Sequence, residues 1–190
     1  MISYLIFIIG VIVSISLGFV FNINTFTFWQ ILLIFIIALS ILLIINALSA
    51  LVCSKWLPNK IFNYKSKFFT PSKTECKFYN KLNIKNWKDR TIEWGKLNGF
   101  SKKKIENPKD PEYIKKFILE CNKGYLTHFT SIIISLLLFI CVPKTLILPM
   151  ALPMYITSFI LNYIPIIILR YNTNRLNTLL RFAERNQKQT

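Results

Sequence analysis

Residues 1–54 read MISYLIFIIGVIVSISLGFVFNINTFTFWQILLIFIIALSILLIINALSALVCS and contain no charged side chain. Two apolar runs fill this stretch, 2–20 and 31–52. Each has about 20 residues, enough to cross a ~30 Å hydrocarbon core at ~1.5 Å per residue. Two further runs follow at 129–142 and 146–169. The third is short when counted from Phe129, so its helix is expected to begin near Tyr125. The first run lacks a basic leading region and an Ala-x-Ala cleavage pattern, so it reads as a retained membrane helix. The expectation is an all-α integral membrane protein with four transmembrane helices.

The chain has 190 residues, 53% hydrophobic, and 24 Lys+Arg against 8 Asp+Glu. These properties conflict in a soluble domain but are segregated here. Eighteen of the basic residues fall in 55–127, and Arg170, Arg175, Arg181, Arg185 and Lys188 mark the tail. Connection 21–30 has none, and 142–149 has only Lys144. Lys and Arg collect on the cytoplasmic face of membrane proteins. An even number of spans puts both basic parts there, so a multi-pass cell-membrane protein with both termini cytoplasmic is expected. The sequence divides into 1–54 with two spans, 55–124 as a basic, amphipathic cytoplasmic segment between the second and third spans, and 125–190 with two spans and a basic tail.

Four cysteines, at 53, 76, 121 and 141, show no Cys-x-x-Cys spacing, and there is one histidine. A zinc site is not expected, nor is a structural disulfide in a reducing cytoplasm. Nucleic acid is not an expected partner, because no base-stacking or helix-turn-helix module accompanies the lysines. Membrane lipids are. Lys55-Trp56-Leu57-Pro58 has the form of a headgroup-level helix end. Aromatics then alternate with lysines from Ile61 to Trp94, as in a segment lying along a bilayer surface. Pro111-Glu112 opens a helix whose apolar face is Ile114, Phe117, Ile118 and Cys121. Gly124 is a point at which it can bend.

His128 is where basic segment meets apolar span, with Glu120 eight residues before it. An imidazole at a membrane edge suits proton removal from a sugar or alcohol hydroxyl, with Glu120 orienting the ring. The alternative is an interfacial His on a headgroup, with Glu120 paired to Lys116 or Lys123. Cys121 as a thiol nucleophile and Cys121 as packing are the two readings of that residue. Arg170 and Arg175 suit donor phosphates or serve as a positive-inside stop. Asn162, deep in the fourth span, suits a ligand or a helix-to-helix hydrogen bond. Pro165 frees the carbonyl of Leu161 nearby. Trp87 and Asp89 belong to a substrate-contact loop or to a charged interfacial turn.

Four blocks together resemble a known family: Trp87-Lys88-Asp89-Arg90; Gly99-Phe100-Ser101-Lys102-Lys103; Phe117-Ile118-Leu119-Glu120 with Leu126-Thr127-His128; and Asn162-x-x-Pro165 through Arg170-Tyr171-Asn172-x-x-Arg175-Leu176. The chain is similar here to the glycosyl-4,4'-diaponeurosporenoate acyltransferases of staphyloxanthin-type carotenoid biosynthesis. The resemblance implies acyl transfer from an activated donor, acyl-CoA or similar, to a sugar hydroxyl of a lipid-linked acceptor; the mechanism expected for it requires no bound cofactor or metal. With the matched blocks it makes His128 and Glu120 the catalytic candidates. Asn162, Arg170, Tyr171, Asn172, Arg175, Trp87 and Asp89 become substrate-binding candidates. The chain departs from the family pattern at Tyr125, where an acidic residue is common, at Phe129, where Trp is common, and at Leu169, where Gln is found. Two other classes share the gross features: a lipid methyltransferase and a non-enzymatic assembly or lipid-binding subunit. Oligomeric state is left open.

Overall fold

A backbone N–H or C=O in hydrocarbon finds no water, so an uncharged 54-residue stretch in a bilayer must close its hydrogen bonds within helices. The computed structural model, which describes residues 2–63, 66–88, 91, 105 and 107–187, has this form, and no strand occurs among the described residues. The helices are α1 (Ile2–Asn22), α2 (Phe28–Leu51, followed by a π-helical turn Val52–Trp56), α3 (Lys73–Lys81), α4 (Ile84–Trp87), α5 (Pro111–Ile134), α6 (Leu138–Cys141) and α7 (Leu152–Gln187). Among the described residues, four helical stretches are long and apolar enough to cross a membrane: Ile2–Asn22, Phe28–Trp56, Pro111–Cys141 and Lys144–Gln187.

Local chemistry sets the helix starts. Thr27 and Gln30 form a capping box on α2: the Thr27 amide donates to Gln30 Oε1 at 2.8 Å, and the Gln30 amide to Thr27 Oγ1 at 3.4 Å. At α5 the Asp110 carboxylate accepts the Glu112 amide at 2.9 Å, with Pro111 at the first helical position. The surface helix expected from Pro111 and the third span expected from near Tyr125 are one helix. Gly124 lies inside it without a break. A helix-interior glycine costs only about 1 kcal/mol relative to alanine, which the packed residues on either side outweigh. The division drawn at residue 124 therefore falls within a continuous helix.

The chain groups into two compact units. The first joins Met1–Leu51 to Thr127–Ile164. Its α1 buries Ser14, Gly18 and Asn22, and its α2 buries Ile31, Phe35, Ala38, Leu42, Ile45 and Ser49. Leu138, Val142, Leu146, Met150, Ala151 and Met154 complete the core. Large apolar side chains point outward instead: Leu5, Ile8, Ile12, Leu33, Ile37 and Leu43 are each more than half exposed. On α1 the small and polar residues face inward and the large apolar ones outward, which suits a hydrocarbon solvent. The buried polar groups of α1 bond to their own helix, Ser14 Oγ to the Gly10 carbonyl at 2.6 Å and Asn22 Nδ2 to the Gly18 carbonyl at 3.2 Å.

The second unit joins Val52–Leu126 to Pro165–Thr190. Ile114, Phe117, Ile118 and Cys121 of α5 pack with Leu169, Leu176, Leu180 and Ala183 of α7. Tyr79 and Ile84 form a second cluster with Ile167 and Tyr171. The buried Asn122 amide donates to the Phe62 carbonyl at 3.2 Å, tying the segment after α2 to α5. Helix α7 passes through Pro165 without ending.

In the first unit α1 crosses α7 at Gly10, where a Cβ would collide with Oγ1, Cγ2 and Cβ of Thr157. The Thr157 hydroxyl is held by the Pro153 carbonyl at 2.8 Å, so it cannot simply turn away. Gly10→Ala is therefore expected to destabilise the protein by about 1–3 kcal/mol through overpacking. Thr157→Ala removes two of the three obstructing atoms and should recover part of that loss. Thermal unfolding in detergent of both single variants and the double variant checks this; strict additivity would contradict the close crossing.

Candidate functional site

In the first unit, α5 and α7 bring together two residues 34 apart in sequence. His128 Nδ1 and Asn162 Oδ1 are 2.9 Å apart. Asn162 is 5% exposed, and its Nδ2 donates to the Ser158 carbonyl at 2.9 Å. That second bond fixes the first. A carbonyl only accepts, so it must face the amide NH2, and the amide oxygen is left facing the ring. Nδ1 must then carry a proton and donate, which makes Nε2 the basic nitrogen of the neutral imidazole. A ring held in one tautomer by a fixed acceptor is the arrangement a general base requires.

Glu120 is engaged elsewhere. Its Oε1 accepts from Lys123 Nζ at 3.2 Å, one of the two local pairings its spacing allowed. The residue set against the imidazole is Asn162, not Glu120. Cys121 is fully buried in the apolar cluster of α5 and α7.

The second unit holds a charge cluster centred on Arg170, which is 8% exposed. Its guanidinium forks onto Glu75, Nε to Oε1 at 2.8 Å and Nη2 to Oε2 at 2.9 Å, while Nη1 donates to the Phe68 carbonyl at 2.9 Å. The Tyr125 ring lies 4.9 Å from the guanidinium carbon, and that ring also contacts Phe68 and Phe69. Glu75 is the third residue of α3, where it completes a capping box with Ser72: the Ser72 amide donates to Glu75 Oε2 at 2.8 Å, and the Glu75 amide to Ser72 Oγ at 3.2 Å. Tyr79 Oη donates to Glu75 Oε1 at 3.1 Å. Partial burial works to raise the Glu75 pKa. The Arg170 hydrogen bonds and charge, with the Ser72 amide and Tyr79 hydroxyl, outweigh it and hold the carboxyl at about 2, down from 4.5. Burial and the adjacent Glu75 charge push the Tyr79 phenol up, so it stays a neutral donor.

The remaining sequence candidates separate. Tyr171 and Trp87 belong to the cluster around Tyr79 and Ile84, and the Trp87 indole donates to the Leu82 carbonyl at 3.0 Å. Asn172 is buried. Arg175 is exposed, its guanidinium 5.6 Å from the Tyr171 ring. Asp89 lies outside the described residues, as does the Gly99–Lys103 block. Sequence reading missed Glu75, although Ser72-Lys73-Thr74-Glu75 is a capping-box signature. It met Tyr125 as a helix start and as a departure from a family pattern, not as a neighbour of Arg170.

Residues 58–182, about two thirds of the chain, match the family model described as glycosyl-4,4'-diaponeurosporenoate acyltransferase. The matched span encloses His128, Asn162, Glu75 and Arg170. No curated protein and no solved structure matches the chain.

Because the Glu75 pKa is lowered on folding, its stabilisation is complete above about pH 4.5 and is lost as pH falls towards about 2. Wild-type protein should lose thermal stability across that window, and Glu75→Gln should lose the part that this carboxyl carries. Arg170→Ala is expected to cost about 2–3 kcal/mol near neutral pH, below the ~3–5 kcal/mol of a fully buried pair because Glu75 keeps contact with water. Unfolding scans of the three proteins between pH 2 and pH 7 read both effects.

Proposed function

The chain belongs to the glycosyl-4,4'-diaponeurosporenoate acyltransferase family, and on that premise we propose that it moves a fatty acyl group from an activated donor such as acyl-CoA to a sugar hydroxyl of a glycosylated, carotenoid-like lipid. The family's chemistry is acyl transfer in carotenoid glycolipid biosynthesis, and this chain is an acyltransferase of it. The observation that carries the finer reading is the His128–Asn162 pair.

In the proposed reaction His128 Nε2 takes the proton of the acceptor hydroxyl as its oxygen attacks the thioester carbonyl carbon. The new C–O bond forms, the C–S bond breaks, and the departing thiolate takes the proton from the imidazolium. Asn162 accepts from Nδ1–H throughout and stabilises the ring while it is charged. Of the two arginines that the sequence offers for phosphate, Arg175 is the exposed one. Arg170 already has its charge matched by Glu75 and acts as an anchor between α3 and α7.

His128→Ala should lower the turnover of a membrane preparation supplied with labelled acyl-CoA and a glycosylated carotenoid by about 10²–10⁴-fold, the usual contribution of a positioned acid–base group. Asn162→Ala should have a smaller effect of the same sign. Full activity in a folded His128→Ala protein would overturn the reading, as would methyl transfer from S-adenosylmethionine in place of acyl transfer.

The excess of Lys and Arg in 55–127 and in the tail supports a cell-membrane topology with both termini cytoplasmic. Cys141 is exposed near the connection between the third and fourth spans, whereas Cys53 and Cys121 are buried. An impermeant maleimide added to intact cells should label the wild type and not Cys141→Ser. Labelling of Cys141 only in inside-out vesicles would reverse the orientation.

A further inference from the structure

Several hydroxyls on these helices satisfy themselves on their own backbone. Ser14, Ser40, Thr157, Thr173 and Thr178 each donate to the carbonyl one turn back. Ser131 does not. It is 0% exposed on α5, and its Oγ has no hydrogen-bond partner among the described residues. A buried hydroxyl without a partner is costly in any dry environment, so its persistence needs a reason.

Its position supplies one. Ser131 follows His128 by three residues, which places it about 60° around the helix and one turn, ~4.5 Å, further along the axis. It therefore shares the face on which His128 meets Asn162, inside the same unit. Along α5 the chain passes from the basic segment into the apolar span, so Ser131 lies one turn deeper than the imidazole. An acyl donor at this site presents its groups in the same order. Its polar end is at headgroup level, its carbonyl comes next, and its chain extends into hydrocarbon.

We propose that Ser131 is a catalytic residue whose hydroxyl donates a hydrogen bond to the acyl carbonyl oxygen and strengthens that bond as the oxygen becomes an oxyanion. This rests on the reading of His128 as general base. The electron pair of the C=O bond moves to oxygen when the acceptor attacks, and it returns when the C–S bond breaks. Ser131 donates throughout and transfers no proton. In the resting protein the hydroxyl is sealed from water, so a carbonyl that parts the surrounding packing meets a donor with no competing partner. Such donors are most effective in dry sites.

The test separates catalysis from packing because the two pull in opposite directions. Ser131→Ala removes an unsatisfied buried group, so the melting temperature should stay level or rise. At the same time kcat should fall about 10²–10³-fold with little change in KM for the donor. Ser135→Ala is the control. Ser135 is also fully buried and without a partner among the described residues, but it lies a further turn away. It should be equally harmless to stability and leave kcat near wild type. Wild-type kcat in Ser131→Ala would overturn the proposal, as would a loss of activity that tracks a fall in melting temperature. If His128→Ala is inactive while Ser131→Ala is fully active, only the oxyanion role fails. If His128→Ala is fully active, the general-base reading fails first.

Discussion

A polar group placed among apolar helices has to be answered by the protein, because hydrocarbon offers it nothing. That constraint organises the surroundings of His128. Asn162 has both a donor and an acceptor to satisfy. Its amide NH2 takes the Ser158 carbonyl of its own helix, which leaves its oxygen for His128 on another. One local bond thus decides an imidazole tautomer 34 residues away. In the second unit the same rule gives Arg170 a carboxylate, a carbonyl and an aromatic face, and in doing so pins α3 to α7.

The architecture was largely written in one dimension. Uncharged runs of spanning length, with lysines and arginines segregated between and after them, leave few alternatives to a four-helix membrane protein, and the helices run as that pattern implies. The least legible boundary was at Gly124. A glycine in a window of mixed polarity looks like a break, yet its propensity cost is small beside the packing of Phe117, Ile118 and Cys121 just before it.

The site was legible in its members but not in its pairings. His128 and Asn162 each stood out, one as the lone imidazole and the other as an amide deep in a span. Spacing arguments, however, reach only along one helix, and they offered Glu120 as the partner. Glu120 has a lysine one turn away and takes it. Arg170 was legible as a cation suited to phosphate. Its actual partner, Glu75, lies 95 residues earlier on a short helix whose capping box disguises the carboxylate as a local feature. Long-range pairings of this kind are set by which helix faces meet, and no window along the chain contains both ends.

Membership of the acyltransferase family narrows the chemistry, and the amide-held imidazole is the place where we propose that it acts. The most direct test uses the fact that the chain has a single histidine. Protein labelled with ¹⁵N only in the imidazole, placed in a membrane mimetic, yields one pair of ring signals with no assignment needed. With Asn162 accepting, a neutral ring must show a protonated Nδ1 and an unprotonated Nε2, and Asn162→Ala must relax that preference. A proton on Nε2, or an equal mixture of tautomers in the wild type, would mean that the amide does not hold the ring and that His128 is not prepared as the base.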